Sequence, residues 1–85
     1  MTAWHVYILQ CADRSLYTGV AVDVGARLSK HNAGKGAKYT RGRLPVKLVY
    51  REIAITRGQA LQREHAIKRL PRAAKLRLIA QLHLE

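Results

Sequence analysis

Two short apolar runs decide how this chain is read: Val6-Tyr7-Ile8-Leu9 and Leu16-Tyr17-Thr18-Gly19-Val20, separated by Gln10-Cys11-Ala12-Asp13-Arg14-Ser15. Successive side chains of an extended segment point to opposite sides, so Val6 and Ile8 share one face and Tyr7 takes the other. The intervening residues are polar and turn-forming, which predicts an antiparallel hairpin with Tyr7 and Tyr17 as near neighbours. Gly19 predicts close approach of another group to the strand, either a phosphate or a tightly packed helix.

Working outward, Trp4, Val6 and Ile8 alternate with His5, Tyr7 and Leu9, and the first set is expected to face the core while the tyrosines are presented opposite. Asp23 suits the N-cap of a helix over Val24–Asn32, with Gly34 just past its end. Arg27 and His31 are four residues apart and share a face of that helix, which on its own describes a solvated cationic surface.

Residues 33–43 read Ala-Gly-Lys-Gly-Ala-Lys-Tyr-Thr-Arg-Gly-Arg, a flexible basic loop. Lys35, Lys38, Arg41 and Arg43 suit a phosphate backbone and Tyr39 suits a stacked base, although a mobile surface connection has the same composition. The glycine spacing is not that of a nucleotide-binding P-loop. Pro45 closes the loop, and Val46, Leu48 and Tyr50 then alternate with Lys47, Val49 and Arg51 as a third strand, the minimum for a self-supporting sheet.

Thr56-Arg57-Gly58-Gln59 has the form of a capping box opening a helix through about residue 69. Its inward stripe is Ala60, Leu61, Glu64, Ile67 and Lys68. Glu64 is the anomaly, because an unpaired carboxylate on an apolar face is costly. It requires either a salt bridge to Arg or Lys or a hard divalent ion such as Mg²⁺, which takes one or two carboxylates together with waters and a substrate phosphate. Pro71 suits the start of a last helix over residues 72–82, with Leu76, Ile79, Ala80 and His83 on one side.

Eighty-five residues, of which 48% are hydrophobic, leave room for one small domain spanning 1–85 with a packed core. Sixteen Lys and Arg against five Asp and Glu give a formal charge of +11. That imbalance suits a polyanion, nucleic acid first and an anionic membrane surface second, because bound basic side chains release condensed counterions. A lone Cys11 excludes an internal disulfide and a cysteine metal cluster, so a reducing, cytoplasmic location is expected. Neither a leader-like segment nor a membrane-spanning apolar run is evident. The terminal Leu84-Glu85 reads as an expression-vector remnant.

The paired tyrosines carry a resemblance. His5-Val6-Tyr7 stands where the GIY-YIG nuclease superfamily has Gly-Ile-Tyr, and Tyr17-Thr18-Gly19 where it has Tyr-Ile-Gly. Arg27 and His31 on the following helix, and Glu64 on the helix after the third strand, also resemble the superfamily order. The chain looks most similar to small stand-alone bacterial proteins related to the nuclease end of the excision-repair enzyme UvrC. An asparagine that the superfamily often places in the last helical region is missing, the only Asn being Asn32.

The resemblance implies an α/β fold, a three-stranded antiparallel sheet flanked by helices in the order β-β-α-β-α-α. It further implies a DNA phosphodiesterase using Mg²⁺ or Mn²⁺, with Tyr7 as general base and Tyr17 positioning water and phosphate. Arg27 would clamp the scissile phosphate, and Glu64 would hold the metal. His31 would accept the Tyr7 proton, with His5 as the alternative, since a free tyrosine titrates too high to act unaided. The DNA is expected to be branched, damaged or single-stranded, with DNA repair or processing as the setting. Two other classes remain open: a non-catalytic nucleic-acid-binding module, and a basic protein peripheral to a membrane or ribosome, in which Glu64 would have no role.

Overall fold

The computed structural model describes residues 3–82. Strands β1 (Trp4–Gln10) and β2 (Leu16–Ala21) form the expected hairpin, and β3 (Lys47–Ala54) joins the other edge of β1, giving an antiparallel sheet in the order β2-β1-β3. Helices α1 (Val24–Asn32) and α2 (Lys38–Arg41) lie between β2 and β3, and α3 (Arg57–Lys68) and α4 (Arg72–Leu82) follow β3.

Local chemistry sets most of these boundaries. The Asp23 carboxylate accepts the Ala26 N–H at 3.0 Å and starts α1. Gly34, at φ +77°, supplies the left-handed residue past its end, its N–H donating to the His31 carbonyl. The Thr56 hydroxyl accepts the Gln59 N–H at 3.1 Å, while Gln59 Oε1 accepts from Ile55 N–H at 3.3 Å, so the box closes one residue earlier than the usual reciprocal bond.

Both faces of the sheet are buried, which corrects the expectation of a single core with tyrosines presented outward. Val6 and Ile8 pack with Ala60 and Ile67 under α3 and α4, joined by Trp4, Leu16 and Val20. On the opposite face Tyr7 and Leu9 pack with Ala21, Val24 and Val46 under α1. Eighty-odd residues can cover both faces because α1 and α2 are short and close to the hairpin, a layered arrangement in which each apolar face finds a helix.

Three further expectations are corrected. The even alternation across β3 is broken by a bulge opposite Ile8/Leu9, where Ile8 pairs with Tyr50 and Leu9 with Leu48, so Val49 and Tyr50 both reach the same core cluster. Lys68 is exposed, since its ammonium keeps its hydration outside the α3 stripe of Ala60, Leu61, Glu64 and Ile67. In α4 the packed residues are Leu78 and Ile79, while Leu76 and Ala80 are exposed, because the face turned to the Val6 and Ile8 cluster is rotated from the expected one. His83, Leu84 and Glu85 lie outside the described residues.

Candidate active site

Tyr7 and Gly19 are cross-strand partners, and the Tyr7 ring lies across the glycine. A Cβ built at Gly19 would stand 2.6 Å from the Tyr7 hydroxyl and 2.7 Å from Cζ. The close group predicted at Gly19 is therefore the other motif tyrosine, neither a phosphate nor a helix. Tyr17, two pairs further along opposite Leu9, brings its ring to 6.5 Å from that of Tyr7 and 5.3 Å from that of His31.

His31 is 1% exposed and uses both ring nitrogens. Nε2 lies 3.2 Å from the Tyr7 hydroxyl, and Nδ1 lies 2.8 Å from Thr40 Oγ1. The Thr40 hydroxyl donates its single proton to the Ala37 carbonyl at 2.9 Å, so it can only accept from His31. Nδ1 thus carries the proton and Nε2 presents its lone pair to the Tyr7 O–H. Burial, and secondarily the Arg27 guanidinium, pushes the imidazole below its ordinary value of 6.5, which keeps it neutral and able to accept. His5 lies on the same sheet face, but its buried Nδ1 has no partner, and no bond joins it to Tyr7.

Burial and three neighbouring side chains act on the Tyr7 hydroxyl. Burial pushes its pKa above the ordinary value of 10.0, the adjacent Arg27 guanidinium opposes that rise, and Tyr17 and the Glu64 carboxylate add to it. Arg27 and Glu64 come from α1 and α3 on opposite faces of the sheet, yet both are close enough to the same hydroxyl to influence it. Arg27 is exposed, leaving its fork accessible from solvent.

The carboxylates sort by what they already hold. Asp23 caps α1, Asp13 binds Ser15 and pairs with Arg43, and Glu52 takes Arg63 at 3.0 Å and the Tyr50 hydroxyl at 2.7 Å. Glu64, with its side chain only 19% exposed, pairs with Lys68 at 3.2 Å across one helical turn. The salt bridge foreseen as one reading of Glu64 is therefore formed, to the neighbour once placed beside it on the apolar stripe. No cluster of three His, Cys, Asp or Glu side chains exists among the described residues. A single, largely covered carboxylate suits Mg²⁺ or Mn²⁺, which fill their remaining positions with water and other oxygen ligands, and does not suit a tetrahedral zinc site.

Residues 33–43, expected as a flexible loop, instead contain α2 and fold around His31. Thr40 is fully buried because its hydroxyl is required beneath the imidazole. A Cβ at Gly36 would collide with His31 Nδ1. Tyr39 stacks on Tyr17 at 6.1 Å and carries the Arg43 guanidinium 4.0 Å from its centroid. Arg43 also bonds Asp13 and the Tyr39 carbonyl, and Arg41 Nε bonds the Gly36 carbonyl. Lys35 and Lys38 remain exposed cations.

Thr40, Gly36 and Asn32 were not legible as site residues. Asn32 clamps Val46, donating to its carbonyl at 3.0 Å and accepting its N–H at 2.8 Å, and so ties the end of α1 to the start of β3. Only Gly36, a glycine five residues from the candidate His31, offered a signal, and glycine in a basic loop has commoner explanations.

Known proteins share this arrangement. Residues 3–77 match the family model of the GIY-YIG catalytic domain. The chain is 56% identical over 81 residues to UPF0213 proteins of Staphylococcus aureus strains Mu3 and N315, covering 95% of this chain and 99% of each relative. Its fold is similar to the solution structure of the UPF0213 protein BH0048 from Bacillus halodurans, with a TM-score of 0.60, 44% identity, and 93% of this chain and 84% of that one covered. It is also similar to that of protein EF2693 from E. faecalis, with a TM-score of 0.66, 38% identity, and 100% and 91% covered. A matched domain that spans the hairpin, α1 and α3, and relatives of the same length, show that the chain belongs to the GIY-YIG domain family, among its small UPF0213 members.

Proposed function

We propose that the protein is a metal-dependent endonuclease that hydrolyses DNA phosphodiester bonds, with Tyr7, Tyr17, Arg27, His31 and Glu64 as its working residues. The observation that carries this reading is the Tyr7–His31 hydrogen bond with its tautomer fixed by Thr40. A hydroxyl pushed up by burial is a poor base alone, but one bonded to a neutral imidazole can pass its proton on as it takes another.

In the attack, water loses a proton to the Tyr7 oxygen while the Tyr7 proton moves to His31 Nε2. The resulting hydroxide adds to phosphorus, the bridging ester bond breaks, and the leaving oxygen takes a proton from solvent. Arg27 clamps the non-bridging oxygens, whose negative charge grows in the transition state. Tyr17 orients the water and the phosphate beside Tyr7. Glu64 would hold a divalent ion, which when bound would supply Lewis-acid stabilisation of the negative charge that grows on the phosphate. Lys68, half-exposed, releases Glu64 at small cost because such a pair contributes little.

The Glu64–Lys68 pair also favours a second reading, a nucleic-acid-binding module that does not cut, because it satisfies the carboxylate without metal. Cleavage of supercoiled, branched and single-stranded DNA with Mg²⁺, Mn²⁺ or EDTA separates the two. Metal-dependent cutting lost in Tyr7→Phe and Glu64→Ala is expected; salt-sensitive DNA binding with no cutting under any metal would leave the binding module.

A further inference from the structure

On the β2 edge of the sheet, a shallow groove of about 500 Å³ runs away from Arg27. Trp4, Val20, Asp23, Lys30 and Arg57 line it with Arg27 itself. Three cations from two different helices therefore face one apolar floor. The single acid is turned to the protein, since Asp23 Oδ1 accepts the Ala26 N–H at the start of α1.

The floor carries an aromatic, Trp4, partly buried against the Val6 and Ile8 cluster but still lining the groove. Tyr39, the ring expected to stack on a base, already stacks on Tyr17 with Arg43 at 4.0 Å. The Arg57 guanidinium stands 5.8 Å from the Trp4 centroid, so the indole is not sealed in the same way. Arg57 and Lys30 are exposed, and neither forms a salt bridge among the described residues.

We infer that this groove seats an unpaired nucleotide next to the scissile phosphate, its base stacked on Trp4 and its phosphates on Lys30 and Arg57. An indole and two free cations at one site match how proteins grip single strands, through sequence-tolerant stacking on aromatics along a positive track. A base within a duplex cannot reach the indole without leaving its stack. The inference builds on the nuclease reading by giving it a substrate class, strands with an unpaired segment beside the cut.

Trp4 is the only tryptophan in the chain, so its fluorescence reports the groove alone. Titration in EDTA with unlabelled oligothymidylate, oligouridylate and a duplex of equal phosphate number is the test. Saturable quenching by the single strands, absent with the duplex, is expected, and the ratio of the deoxy to the ribo strand assigns the sugar preferred. In anisotropy with a labelled strand, Trp4→Leu weakens binding about tenfold. Lys30→Ala/Arg57→Ala, both on the exposed surface, lowers the slope of log affinity against log salt by about 1.4, or about 0.7 for each lost contact. This double variant keeps the test valid if Trp4→Leu fails to fold. Equal quenching by the duplex, or an unchanged salt slope, overturns the inference. Because the titration holds no metal, it reads the groove separately from cleavage: single-strand quenching with no cutting once Mg²⁺ or Mn²⁺ is added would retire the nuclease and keep the groove. Cleavage of duplexes without quenching would do the reverse.

Discussion

The Tyr7 hydroxyl and His31 Nε2 meet at 3.2 Å although they are 24 residues apart in sequence, and the other side of the imidazole is pinned to Thr40 at 2.8 Å. A strand, a helix and a four-residue helix thus each supply one member of a linear hydrogen-bonded chain that ends on the Ala37 carbonyl. Such a chain has a direction, and its direction points the histidine's lone pair at the tyrosine.

Removing the tyrosine oxygen breaks the chain at the end where chemistry is proposed. Tyr7→Phe is expected to lower the cleavage rate at least about 10²-fold, the scale of a lost general base. It also leaves buried Nε2 without its partner, at a cost of about 1–3 kcal/mol in stability. Single-turnover cleavage and urea unfolding check the two effects separately. A variant that cuts at the wild-type rate would remove Tyr7 from the mechanism.

Thr40 acts on the reaction only through His31. Thr40→Val keeps the shape and removes the acceptor, so Nδ1 no longer has to carry the proton, and the imidazole populates the tautomer that cannot accept from Tyr7. Cleavage is expected to fall about tenfold or more, with a destabilisation of about 1–3 kcal/mol. Thr40→Ser retains the hydroxyl and should restore both. The tautomer itself is read from the ¹⁵N shifts of the His31 ring, which a purely packing role for Thr40 would leave unchanged.

The pH dependence follows from the signs of two shifts. His31 must be neutral to accept a proton, and its value in the fold is below 6.5, so the acid limb of activity should fall below pH 6.5. For stability, the unfolded histidine binds protons at higher pH than the folded one. The His31 contribution is then complete above 6.5 and is lost as pH falls from 6.5 through the depressed folded value. Tyr7 is raised above 10.0, so the unfolded chain loses its tyrosine proton first and stability declines as pH rises past 10.0. Denaturation midpoints between the two extremes, compared with those of His31→Phe and Tyr7→Phe, test each limb.

Gly36→Ala should inactivate without removing any polar group. Its Cβ would collide with His31 Nδ1 and with the histidine backbone, so the ring must move off Tyr7. A destabilisation of about 1–3 kcal/mol is expected for such overpacking, with cleavage lost even where the protein remains folded. Gly34→Ala is a useful contrast, since space is open there and its cost would come from the positive φ alone. Full activity in Gly36→Ala would show that the His31 position is not critical.

Glu64 separates catalysis from stability. Its pair with Lys68 is a one-turn helix pair with a half-exposed lysine, so Glu64→Gln should change stability by only about 0.5 kcal/mol. Metal-dependent cleavage should vanish, as it should for the wild type in EDTA. An active Glu64→Gln protein would recast the residue as a salt-bridge partner.

How far the sequence reached can be seen at individual residues. Asp23, Gly34, Thr56 and Gln59 act over a few positions of backbone, and their local rules fixed the helix boundaries as read. The alternation around Tyr7 likewise placed it on one face of a hairpin with Tyr17 nearby. The β3 bulge, the rotated face of α4 and the burial of the tyrosine side were not readable, because each depends on which distant element packs there.

The same division runs through the candidate site. By itself the sequence determined the hairpin, the helix carrying Arg27 and His31, the helix carrying Glu64, the excess of positive charge and the resemblance that joins them. Only the tertiary structure decided that Tyr7 fills the space above Gly19, that Glu64 pairs with Lys68, and that Thr40 sets the histidine tautomer. Periodicity and capping are settled within one or two turns of chain. The direction of a proton along Tyr7, His31, Thr40 and Ala37 depends on four groups from separate segments meeting within hydrogen-bonding distance, which no local pattern encodes.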